Sequence, residues 1–102
     1  MVFSLASVAR PKEVKEVLEL ALKNNFIDAR NKLLEVMLNY GLSGLDIIKQ
    51  IQKEIWDLEI DGKKKVELID KCGEIEFRMV EGADEYVQLE ALLSQFTLVG
   101  LK

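Results

Sequence analysis

Between Pro11 and Leu101 the apolar residues return every three or four positions, and no stretch alternates apolar and polar residues as a half-buried strand would. A chain with that period along its length is expected to pack helix on helix. Pro11 suits the first turn of a helix, where its missing N–H costs nothing, and Val14, Val17, Leu18 and Ala21 carry the stripe to about Asn24. Asn24-Asn25 breaks it, because Asn tolerates the left-handed conformation that ends helices. Phe26, Ala29, Leu33, Val36, Met37 and Tyr40 form a second stripe, which Gly41 stops. Ser43 with Asp46 three residues later resembles a capping box, and Leu45, Ile48, Ile51, Ile55, Trp56 and Leu58 follow it as a third helix.

Asp61-Gly62 reads as the next turn. The apolar arc that follows, from Val66 and Leu68 through Cys72 and Ile75 to Met79 and Val80, is wide, and its width predicts a central, much-contacted fourth helix closed by Gly82. Asp84 stands where an N-cap would precede a fifth helix running to about Val99. The expected fold is all-α, a compact bundle of five helices with short loops. Residues 1–10 read as a linker stub: the opening has no basic residue ahead of its apolar part, as a secretory signal would, and runs straight into Arg10-Pro11. Residues 11–102 read as a single domain, with no internal repeat.

The fifth helix is apolar on two sides. At about 100° per residue, Leu89, Leu92, Leu93, Phe96 and Val99 share one arc, while Val87, Ala91, Ser94, Leu98 and Leu101 gather roughly opposite. Gln88 and Gln95 divide the arcs on one side and Glu90 on the other. The first arc can serve the core; the second calls for a partner, and the small Ala91 and Ser94 would let another helix approach closely. A helix sandwiched inside the bundle would have the same pattern. Glu76 is the other candidate contact, since the wheel sets it between Ile69, Cys72 and Val80 on the apolar side of the fourth helix, where a carboxylate needs an internal partner or an interface.

Composition narrows the chemistry. The net charge of −4, from 18 acidic and 14 basic residues, offers no electrostatic footprint for a phosphate backbone, so no direct nucleic-acid binding is expected. The run Lys63-Lys64-Lys65 is read as a solvated face. With no histidine, the commonest general base and metal ligand is missing, and the lone Cys72 falls on an apolar arc where an inert thiol belongs. None of the six glycines leads into Gly-Lys-Ser or Gly-Lys-Thr, so no phosphate-cradling loop, cofactor or catalytic residue is proposed. Glu81, Asp84 and Glu85 lack the spacing of a calcium loop and are read as helix-terminal charges, leaving no metal site. Single-cysteine usage fits a reducing, intracellular setting, with no membrane span.

Several blocks suggest a family. Ala6-Ser7-Val8-Ala9-Arg10-Pro11, Gly41-Leu42-Ser43-Gly44, the run from Gly73 through Glu76 and Gly82 to Glu85, and Gln88-Leu89-Glu90-Ala91-Leu92-Leu93 resemble the C-terminal third of an archaeal replication factor C small subunit. The resemblance covers almost the whole chain. It implies the collar domain through which AAA+ clamp-loader subunits join in a ring, as homo- or hetero-oligomers, during DNA replication. The family's phosphate-binding loop, acidic magnesium-binding motif and arginine finger match no positions here, so their roles are not carried over. A free-standing helical adaptor using the Val87 face is the alternative, and a small carboxylate enzyme using Glu76 a distant third.

Overall fold

The computed structural model describes residues 11–102, so the expected linker at 1–10 lies outside the described residues. Five helices follow in order: α1 (Pro11–Leu22), α2 (Phe26–Tyr40), α3 (Gly44–Ile55), α4 (Gly62–Val80) and α5 (Glu85–Leu101). No strand occurs among the described residues, as the period required.

The helix ends follow from the residues that make them. Asn24 takes φ 66°, and the Asn25 N–H reaches back to the Leu20 carbonyl at 2.9 Å, closing α1. Gly41 repeats the device after α2 at φ 63°, and the Leu42 N–H returns to Met37 O at 2.9 Å while the Leu42 side chain is buried. At α3 the capping box is complete: Ser43 Oγ accepts from the Asp46 N–H at 3.2 Å and Asp46 Oδ2 accepts from the Ser43 N–H at 3.1 Å. Asp84 accepts from the Val87 N–H at 3.0 Å and opens α5 as expected.

Three boundaries move. Asp61 is the N-cap of α4, accepting from the Lys64 N–H at 2.9 Å, and Gly62 is already helical rather than part of a turn. α3 stops at Ile55, so Trp56 leaves the helix and is exposed, while Leu58 still folds back into the core. α5 continues past Val99 to Leu101.

The larger correction concerns the centre of the bundle. α5 packs against all four other helices, whereas α4 packs chiefly on α3 and α5. The expectation of a central fourth helix is therefore overturned: only Leu68, Cys72, Ile75 and Met79 of α4 are buried, and Val66 and Val80 point outward. The core is built around Leu89, Leu92, Leu93 and Phe96 of α5, with Val17 and Leu18 of α1 and Ile47 and Ile51 of α3 among its fully buried members. No helix among the described residues is long and apolar enough to cross a membrane.

Candidate functional site

The two faces of α5 separate as the helical period demands. Every member of the inward arc, Leu89, Leu92, Leu93, Phe96 and Val99, is buried. On the outward arc Val87, Leu98 and Leu101 are between 53% and 62% exposed, with Ala91 exposed and Ser94 half-buried beside them. Ser94 turns its hydroxyl back onto its own helix and donates to the Ala91 carbonyl at 2.7 Å. That bond satisfies the one polar side chain on the arc, so the surface offers apolar atoms and backbone at close range rather than a hydrogen-bond donor.

Charged pairs border the arc on both sides. Toward α2, Arg30 donates to Glu90. Toward α4, Ala91 and Gln95 share a shallow groove with Lys71, Glu74, Ile75 and Arg78. Glu74 accepts from Arg78 at 2.8 Å and lies 3.8 Å from Lys71, so one carboxylate is paired with both cations within α4. At the far end Lys102 meets Glu67 of α4 at 2.9 Å, and that hydrogen bond is the main cause holding the Glu67 carboxyl below its ordinary range. An apolar centre rimmed by satisfied charges is the usual anatomy of a protein-protein contact.

Glu76 does not join this face. It lies half-buried on the α3 side of α4, lining a separate groove with Lys49, Gln52, Lys53 and Trp56. Of the six candidate contact residues, the five on α5 come together and Glu76 stands apart from them.

The remaining sequence candidates resolve into structural roles. Burial pushes the Cys72 thiol up to about 12, with the negative charge of Glu76 adding to the effect, so the sulfur stays protonated and unreactive. Glu85 accepts from the Gly44 N–H at 2.7 Å, tying the start of α5 to the start of α3, and Asp84 is occupied as a cap. Lys65 donates to the Trp56 carbonyl at 2.7 Å.

Two features escaped the sequence reading. Glu54 is buried on α3 and accepts from Gln50 Nε2 at 3.0 Å, one helical turn away. On α4, Val66, Phe77 and Val80 are 63% to 65% exposed and share an arc with Gly73, directed away from the buried Leu68, Cys72, Ile75 and Met79. The same 100° wheel that divides α5 would have divided α4. Counting Val66 and Val80 in one wide arc with Leu68, Cys72, Ile75 and Met79, and leaving Phe77 out, hid the division.

The model for the replication factor C C-terminal domain matches residues 9–95. The replication factor C small subunit of Pyrococcus furiosus is 56% identical over 101 residues, which cover 99% of this chain and 12% of that relative. The small subunit of Methanocaldococcus jannaschii is 50% identical over 100 residues, 98% of this chain and 5% of the relative. That of Staphylothermus marinus is 47% identical over 103 residues, 99% of this chain and 31% of the relative. The chain thus spans only a minor part of the length of each of these relatives, and nearly all of it is matched. By this match, which takes in helices α1 to α4 and most of α5, the chain belongs to the replication factor C C-terminal domain family.

Proposed function

We propose that this domain is the collar element of a sliding-clamp loader, joining small subunits into a ring during DNA replication through the outward face of α5. One observation carries the reading: the central helix of the bundle keeps Val87, Ala91, Leu98 and Leu101 at the surface while its opposite side is wholly buried. Covering the exposed half of Val87, Leu98 and Leu101 would contribute about 1–1.5 kcal/mol each toward association. Ala91 and the self-satisfied Ser94 permit a second helix to approach without desolvating a free polar group.

In this reading, nucleotide chemistry and contact with clamp and DNA belong to the remainder of the subunit, and this segment supplies cohesion. The acidic balance of the chain, net −4, agrees with a domain that does not itself hold phosphate backbones. The neighbours would be further small subunits or a related larger one.

Sedimentation mass measured against protein concentration tests the proposal. Self-association at high concentration, weakened by Leu98→Asp with the helical circular dichroism retained, is the expected result. A folded chain that stays monomeric throughout would instead favour a free-standing adaptor.

A further inference from the structure

The α5 face needs a counterpart, and the surface of this same chain contains one. Resting on the assembly reading above, we propose that the α5 face of one copy packs on the outer face of α4 of a second copy, the two helices running parallel.

The two faces match in register. Val66, Asp70, Gly73, Phe77 and Val80 recur along α4 at the same intervals as Val87, Ala91, Ser94, Leu98 and Leu101 along α5. Laid side by side in parallel, Val66 meets Val87, Phe77 meets Leu98 and Val80 meets Leu101. Gly73 then falls opposite Ser94 at the middle, where two small residues allow the backbones to come close. A β-carbon built on Gly73 would touch nothing in its own subunit, so the space above it is open to a neighbour. Asp70, exposed at the margin of its arc, lies opposite Ala91 and can keep its carboxylate in water.

Charge selects the direction. α4 begins with Lys63-Lys64-Lys65 and is followed by Glu81, whereas α5 is preceded by Asp84, begins with Glu85 and is followed by Lys102. Parallel helices set the lysines beside Asp84 and Glu85, and Glu81 beside Lys102. Antiparallel helices would set Lys102 among the three lysines and Glu81 against two acids, which costs association and specificity.

The contact is head-to-tail. The row Lys71, Glu74 and Arg78 lies on the α5-facing flank of α4, between its outer face and α5, so one copy can present both apolar faces to two different neighbours. A two-fold contact of α5 on α5 would leave Val66, Phe77 and Val80 in water on both copies. A head-to-tail contact covers both faces and repeats, giving a ring when the rotation closes.

Mixing two variants tests the pairing. Phe77→Asp removes only the α4 face and Leu98→Asp only the α5 face, and both sites are exposed in the single subunit. Each variant alone should need more than about tenfold higher concentration to associate. An equimolar mixture should recover a one-to-one dimer in sedimentation, because each partner retains the face the other lacks. Phe77→Asp that assembles like the unsubstituted chain, while Leu98→Asp does not, would overturn the α4 assignment and leave the assembly reading standing. A mixture that stays monomeric would do the same. An unsubstituted chain that never associates would overturn both. Gly73→Gln guards against a folding artefact: the added side chain points into open space and replaces a poor helix former, so thermal stability should hold or rise while association weakens. Unchanged association of Gly73→Gln would also overturn the pairing.

Discussion

Thr97 on α5 donates its hydroxyl hydrogen to the Ala21 carbonyl oxygen on α1 at 2.8 Å. Ala21 is in the last turn of α1, where its carbonyl already accepts from the Asn24 N–H at 3.2 Å, and the hydroxyl from another helix takes up its second lone pair. One turn further along, Gly100 lies so close to Leu22 that a β-carbon there would overlap the Leu22 carbonyl. The end of α1 is thus seated on α5 by a hydroxyl and an absent side chain. This contact helps to fix which side of α5 faces inward.

Thr97→Val should lower unfolding free energy by about 0.5–1.5 kcal/mol, the net worth of one hydrogen bond. Gly100→Ala sets two effects against each other. Better helix propensity would stabilise by about 1 kcal/mol, but the new methyl meets backbone that cannot rotate away, and overpacking of that kind costs about 1–3 kcal/mol. Net destabilisation is expected, read as a lower urea midpoint at an unchanged slope.

The Ser43–Asp46 box gives a pH signature. The Asp46 carboxyl is held below its ordinary value of 3.8, first by the backbone hydrogen bond from Ser43 and then by the Ser43 hydroxyl. A carboxyl whose folded pKa is depressed contributes stability that is present above its unfolded pKa and is lost as pH falls through the folded one. Asp46→Ala, which leaves the Ser43 cap itself in place, should therefore be less stable than the unsubstituted chain at neutral pH, by about 0.3–1 kcal/mol as for a carboxylate in the first turn of a helix. The difference should shrink as the pH is taken below 3.8, and a deficit independent of pH would show that the charge does not matter.

Cys72 titrates in the opposite sense. Its thiol rises from 9.0 to about 12 on folding, so above pH 9 the unfolded chain sheds a proton that the folded chain retains. Stability then falls as the pH rises, and Cys72→Ala should lose that part of the alkaline decline. Alkylation at neutral pH should be slow on the folded chain and fast in denaturant. Rapid labelling of the native chain would contradict the buried placement.

How much was legible in the sequence depended on whether a signal was local. The left-handed Asn24, the Gly41 stop, the Ser43–Asp46 box and the Asp84 cap are written in neighbouring residues, and each stands where expected. The division of α5 into two faces needed only its own period. The identity of the central helix depends on distant contacts, such as Thr97 with Ala21 and Glu85 with Gly44, that no single helix encodes. α4 was placed at the centre because Val66 and Val80 were counted toward the core, although the wheel sets them away from Leu68 and Met79. Glu76 lies apart from the α5 face because its own helix sets its direction, and the α3 groove that it lines depends on a distant element that the sequence pattern of α4 does not encode.

A matched pair of charge substitutions on α5 separates core from surface. Leu92 is fully buried and Leu98 is exposed, six residues apart on one helix. At Leu92 the carboxylate is desolvated when the domain folds, and an unpaired buried charge costs several kcal/mol out of a total near 5–15 kcal/mol. Leu92→Asp should lose its cooperative unfolding and much of its helical signal. At Leu98 the carboxylate stays in water in the single subunit and is desolvated only when a neighbour covers the face. Leu98→Asp should keep the helical signal, with its melting temperature measured at dilution little changed, while its association weakens. Because both variants add the same charge to the same helix, net charge cannot explain a difference between them, and the helix dipole disfavours Asp more at Leu98, in the last turn, than at Leu92. A Leu98→Asp chain that unfolds like Leu92→Asp would place that face in the interior, and one that folds and associates normally would remove it from any interface.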